Sequence, residues 1–166
     1  DRGINTIRLR VWVNPSHDKA SGHCSKEETV VMALRAQKMG MRIMIDFHYS
    51  DSWADPGKQF KPKAWESHSF PELLNDVYNH TFDVLSALKK AGVIPEWVQV
   101  GNEIPGGMLW PEGSTKNWSQ LAQLLNKGFE ATKAIDTKIK VIVHLDEGND
   151  NAKFRWFFDN AKANNV

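Results

Sequence analysis

Four short runs rich in β-branched and apolar residues recur along the chain, at residues 6–13, 42–47, 97–101 and 139–145. Each precedes a longer stretch with helical signals. Ser25-Lys26-Glu27-Glu28 has the spacing of a capping box and opens a helix carrying Val30, Val31, Leu34 and Met39, with Gly40 as its stop. Ser69-Phe70-Pro71-Glu72 repeats the device before Leu73, Leu74, Val77, Leu85 and Leu88, and Gly92 ends that helix. A third helix is predicted from about Trp118 through Leu121, Leu124, Leu125 and Phe129. A fourth begins near Asp150 and carries Phe154, Trp156, Phe157 and Phe158. Strict alternation of strand and helix predicts parallel strands joined by crossover helices.

Side chains alternate across a strand, so parity sorts each run into two faces. Ile7, Leu9, Val11 and Val13 oppose Arg8, Arg10 and Trp12; Ile43, Ile45 and Phe47 oppose Arg42, Met44, Asp46 and His48. Val98 and Val100 oppose Trp97, Gln99, Gly101 and Glu103; Val141, Val143 and Leu145 oppose Lys140, Ile142, His144 and Asp146. Every strand thus has one apolar face and one face that turns polar towards its C-terminal end. A doubly wound sheet, covered by helices on both sides, prefers apolar residues on both. The pattern suits instead the interior mouth of a β/α barrel, where functional groups gather at the C-terminal rim. Residues 14–24, 49–68 and 104–116 form long connections after strand ends, at that same rim. A complete barrel needs about 250 residues. The expected fold is therefore α/β, a partial (β/α)8 TIM barrel of about four β/α units.

Composition narrows the partners. With 41% hydrophobic residues, 166 residues make one ordinary globular domain. A net charge of +1, from 21 basic and 20 acidic side chains that are interspersed, gives no nucleic-acid footprint and no basic membrane patch. No apolar run approaches the roughly 18 residues of a transmembrane helix. One cysteine, Cys24, excludes a disulfide framework or cysteine metal cluster within the chain. Seven tryptophans are a heavy load; each can serve the core or offer a stacking platform to a flat ligand.

The stretches "IRLRVWVNP", "MIDFHYSDSWADPGKQ", "PKAW", "VQVGNEIPGGMLWPEG" and "VIVHLDEG" carry the chemistry. Together, in this order, they resemble glycoside hydrolase family 53, the arabinogalactan endo-β-1,4-galactanases, across essentially the whole chain. The resemblance implies an endo-acting retaining glycosidase that hydrolyses β-1,4-galactan by double displacement. Residues 1–166 would be part of a single catalytic barrel, roughly strands two to five, without the first strand and strands six to eight.

Within that family Glu103, at the end of the fourth barrel strand, would be the general acid/base, and Asn102 would bind the sugar 2-hydroxyl. On an ideal strand these two side chains point apart. Both reach one sugar only if the chain bulges or turns, which Pro105-Gly106-Gly107 favours. An arginine on the polar face would support the nucleophile; Arg10 is preferred over the deeper Arg8. His48, His144 and Asp146 would lie nearest the substrate, and Trp53 and Trp110, in the long rim loops with Trp65, would stack on sugar faces. Asp46/His48 and His144/Asp146 have a spacing open to zinc, but a carboxylate pairing with each histidine is as natural, and the resemblance favours sugar contacts. "DEGNDN", residues 146–151, lacks the glycine and distal glutamate placement of a calcium loop. No metal and no cofactor is expected. Asn79-His80-Thr81 and Asn117-Trp118-Ser119 match the N-glycosylation pattern.

The family's nucleophile, a second glutamate on the seventh strand, has no counterpart here: Glu112, Glu130 and Glu147 match no nucleophile motif. The isolated chain is accordingly expected to be inactive and to self-associate through open strand edges. The intact enzyme would be a secreted or cell-envelope monomer acting on galactan or arabinogalactan. A retaining barrel glycosidase for another β-linked glycan, or a half-barrel that binds galactan without cleaving it, remains open.

Overall fold

The computed structural model describes residues 3–16 and 24–166; within the first long connection, residues 17–23 lie outside the described residues. Strands β1 (Thr6–Val11), β2 (Arg42–Phe47), β3 (Trp97–Val100) and β4 (Lys140–Ile142) alternate with helices α1 (Lys26–Lys38), α2 (Phe70–Lys90), α3 (Trp118–Ile135) and α4 (Asn151–Ala163). The strands form one parallel sheet in sequence order, β1-β2-β3-β4. The sequence pattern anticipated this order, and the register follows the faces that parity defines.

The helix starts have local causes. Ser25 Oγ accepts the Glu28 amide at 3.2 Å while the Glu28 carboxylate accepts the Ser25 amide at 3.1 Å, so two otherwise unpaired donors are satisfied at the start of α1. At α2 the Glu72 carboxylate accepts both the amide and the hydroxyl of Ser69, at 2.7 and 2.6 Å. Those bonds hold its pKa below the usual range. Asn117 and Asp150 cap α3 and α4 through their side-chain oxygens.

One side of the sheet is apolar. Leu9, Ile45, Val98 and Val141 lie in one register row, with Val11, Phe47 and Val100 in the next towards the C-terminal ends. Leu73, Val77, Leu85 and Leu88 of α2 and Leu121, Leu124 and Leu125 of α3 are buried in the same core. Each such side chain stabilises the fold by about 2 kcal/mol through burial alone. α3 comes closest at Gly128, where an added Cβ would stand 2.6 Å from Val100 Cγ1. In α4 only Phe157 of the four aromatic residues is fully buried, edge-on to Trp118; Trp156 and Phe158 stay 48% and 44% exposed.

Strand ends differ from the sequence pattern, because the rim loops capture the backbone. β1 ends at Val11, since the Trp12 amide bonds the Cys24 carbonyl and the Val13 amide bonds the Ser50 carbonyl, both at 2.9 Å. β4 is only three residues long. Beyond it, the His144 carbonyl accepts the Ile104 amide at 3.0 Å, a contact to a loop rather than to a strand. That contact sets the rim.

Candidate active site

On the other side of the sheet, the C-terminal ends of β1, β2 and β3 build a polar network around Asp46. This carboxylate is only 3% exposed, so the charge must be paired. Its Oδ2 accepts from Arg8 Nη2 at 2.8 Å and Nε at 3.0 Å, and lies 3.3 Å from His48 Nε2. Its Oδ1 accepts from Gln99 Nε2 at 2.5 Å. The His48 tautomer follows from its other nitrogen. Nδ1 accepts the Ala54 amide at 3.1 Å, so the ring proton sits on Nε2 and is donated to Asp46.

Asn102 is 5% exposed, and its amide orientation is fixed at both ends. Nδ2 donates to the Ala54 carbonyl at 2.9 Å. Oδ1 therefore faces Arg8 Nη2 at 2.5 Å, Gln99 Nε2 at 3.2 Å and His144 Nδ1 at 3.1 Å. Since Oδ1 can only accept, His144 donates to it from Nδ1. Burial, and then the Arg8 guanidinium, push the His144 pKa down, while Asp46, Glu103 and Asp146 oppose them. His144 is neutral at neutral pH.

Glu103 follows directly, and here the expected turn takes a specific form. β3 ends at Val100; Gly101 has φ +82° and Glu103 φ +48°. Two left-handed residues flanking Asn102 break the strand alternation before the Pro105-Gly106-Gly107 segment is reached. Gly101 is required twice, by its φ and because a Cβ there would lie 2.9 Å from Ile104 Cγ2. Among the described residues the Glu103 side chain is half-buried and takes no hydrogen bond or ion pair. It is a carboxylate presented at a strand end with its oxygens uncommitted.

The remaining candidates divide between this network and the rim. The Asn102 contact belongs to Arg8, the deeper of the two polar-face arginines. Arg10 lays its guanidinium over the Trp53 ring, 4.3 Å from the centroid, stands 5.4 Å from that of Trp12, and hydrogen-bonds the Cys24 thiol. Trp53 is 47% exposed and meets Trp12 and His48 edge-on, with centroids at 5.6 and 5.7 Å. Trp110 is half-buried, and its Nε1 donates to the Gly106 carbonyl at 3.0 Å. Trp65 lies in the core, 7% exposed, beside His80. Asp146 pairs with Lys153 at 2.6 Å rather than with His144, so only the Asp46/His48 pair forms as spaced in sequence. The first glycosylation-type triplet sits inside α2 with the Thr81 hydroxyl buried between Tyr49 and Val77; in the second, Asn117 caps α3. Sequence reasoning passed over Gln59 and gave Gln99 no role, although parity had put Gln99 on the polar face.

Parallel strands with helices over one face, and a polar cluster with a carboxylate at their C-terminal ends, define part of a β/α barrel with a candidate active site at its rim. The profile described as "Glycosyl hydrolase family 53" matches residues 1–166. The chain belongs to glycosyl hydrolase family 53. It is 41% identical over 160 residues to an arabinogalactan endo-beta-1,4-galactanase of Thermothelomyces thermophilus, a match covering 95% of this chain and 47% of that protein. Among solved structures, the Ignisphaera aggregans GH53 catalytic domain superposes with a TM-score of 0.93 at 41% identity, over 99% of this chain and 46% of that one. A structure from a study of two fungal beta-1,4-galactanases gives 0.89 at 40% identity, over 98% and 48%. The chain spans about half the length of the relatives it matches.

Proposed function

We propose that this chain supplies the acid/base half of an endo-acting, retaining glycosidase that hydrolyses β-1,4-galactan. Galactanase-named relatives at about this level of identity support the substrate class. The observation that carries the mechanism is Glu103, with its carboxylate uncommitted beside the Asn102–Arg8–His144 network. In the first step Glu103 gives its proton to the glycosidic oxygen as the bond to the anomeric carbon breaks. In the second it takes a proton from the water that releases the sugar. The covalent intermediate would form on the family's second glutamate, whose motif none of Glu112, Glu130 and Glu147 matches.

Asn102 has two amide N–H groups and gives one to Ala54. The other is the donor for a sugar 2-hydroxyl, a bond worth most in the transition state. Trp53, backed on one face by Arg10, and Trp110 offer aromatic surface to the pyranose rings, and His48 and Asp146 complete the polar rim. By analogy with its galactanase-named relatives, the full-length protein would act outside the cell or at its envelope.

The test is Glu103→Gln in the full gene product, assayed by reducing-end release from galactan. Turnover should drop by about 10²-fold or more with binding retained, and azide should restore Glu103→Ala with net retention at the anomeric carbon. Undiminished turnover refutes the assignment. The 166-residue chain expressed alone should release no reducing ends, because retention needs two carboxylates about 5–5.5 Å apart.

A further inference from the structure

We infer that Gln59 is a positioning residue for Glu103, setting the direction of the proton donor through its backbone; this rests on the acid/base reading above. Gln59 lies in the long connection after β2 and is 2% exposed. Its Nε2 donates to the carbonyl of Asn102 at 2.8 Å, to that of Glu103 at 3.0 Å, and to that of Asp55 at 3.1 Å. Two N–H groups are thus shared among three acceptors.

The two strategic acceptors belong to different peptide planes. The Asn102 carbonyl lies in the plane before the Glu103 Cα, and the Glu103 carbonyl in the plane after it. Holding both planes fixes φ and ψ of Glu103, and with them the direction of its Cα–Cβ bond. The restraint matters because Glu103 has φ +48°, a region that costs a non-glycine residue about 1–2 kcal/mol. Such a residue persists only where its surroundings over-determine it. The carboxylate gives no help, since it has no partner among the described residues. Beyond Glu103 the Ile104 amide is tied to His144, so Gln59 and His144 hold the segment from both sides.

Proton transfer is sensitive to this geometry, because the donor must stand within hydrogen-bond reach of the leaving oxygen. Without the Gln59 amide, the Asn102 and Glu103 carbonyls, like that of Asp55, lose this donor, and the peptide planes around Glu103 can relax towards right-handed φ, swinging the carboxyl away. The main chain of Gln59 serves a separate purpose, since its carbonyl accepts the Trp110 amide at 2.8 Å. A side-chain substitution leaves that tether in place.

The decisive readout is the dependence of kcat/KM on leaving group, measured in the full gene product with aryl β-galactobiosides. A 2,4-dinitrophenolate departs without acid assistance, whereas a methylphenolate needs it. Gln59→Met, which keeps length and removes both donors, should lower kcat/KM on the methylphenyl substrate by about tenfold or more and leave the dinitrophenyl substrate within about threefold. Glu103→Gln should show the same pattern more strongly. The ratio of the two rates is taken on one preparation, so any unfolded fraction cancels. Gln59→Asn, which keeps the amide one methylene short, provides the same ratio if the methionine variant does not fold. Equal losses on both substrates in the Gln59 variants, with Glu103→Gln still sensitive to leaving group, would overturn the positioning role alone. A Glu103→Gln variant indifferent to leaving group would overturn the acid/base reading and the positioning role with it.

Discussion

Gly128→Ala should destabilise the protein, although an alanine is the better helix former. The site lies inside α3, where exchanging glycine for alanine ordinarily gains about 1 kcal/mol. Here the new methyl would stand 2.6 Å from Val100 Cγ1 and 3.0 Å from both Val100 Cγ2 and Tyr49 Oη. Neither neighbour can yield freely. Val100 is 1% exposed in the central part of the sheet, and Tyr49 is 1% exposed with its hydroxyl 2.8 Å from that of Thr81. Overpacking of this kind costs about 1–3 kcal/mol, more than the helix gain. The expected net effect is a loss of up to about 2 kcal/mol. The strain also has a direction, since Val100 immediately precedes Gly101-Asn102-Glu103 and any displacement of β3 moves the candidate acid. Urea unfolding of the full gene product at constant slope would give the stability change, and its galactan hydrolysis under native conditions the functional one. Val100→Ala removes the two methyl carbons in the way. The double variant should therefore lose less than the sum of the singles, with a coupling of about 1 kcal/mol. A Gly128→Ala protein more stable than the parent, or additive singles, would refute the close-contact argument.

Three of the remaining expectations concern charge and mechanism. His80 lies among the rings of Phe47, Tyr49 and Trp65, where burial pushes its pKa down to about 4, with Lys26 reinforcing and Asp83 opposing the shift. Its unfolded value is about 6.5, so the unfolded chain binds the extra proton between the two values, and stability falls as pH drops from about 6.5 to 4, by up to about 3 kcal/mol. His80→Leu should flatten the urea midpoint over that window; an unchanged pH slope would contradict the burial argument. Arg8→Lys keeps the charge but loses the fork that spans Asp46 and Asn102, and should cut galactan turnover by about tenfold with little change in thermal stability. Parental activity in that variant would show that Asn102 is positioned without Arg8. Glu103→Gln, measured by reducing-end release, remains the direct test of the acid.

The sequence by itself determined the architecture. Period-two strands, capping boxes at Ser25 and Ser69, and glycine stops at Gly40 and Gly92 are local features whose physics needs no distant partner. They were enough to order four parallel strands and to assign Leu9, Ile45, Val98 and Val141 to one face, Asp46, Gln99 and Glu103 to the other. Tertiary structure decided which polar groups meet. Parity cannot show that Arg8 will hold Asn102 or that Arg10 will lie over Trp53, because these contacts depend on where Asn102 returns from a neighbouring strand and on the loop that brings Trp53 over Arg10. Nor can spacing distinguish the His48–Asp46 pair that forms from the His144–Asp146 pair that does not, since Lys153 of α4 competes for the second carboxylate. The same holds for Gln59, an ordinary loop amide in sequence. Its bonds to the Asn102 and Glu103 carbonyls span more than 40 residues, and contacts at that separation exist only once the sheet has brought two rim loops together.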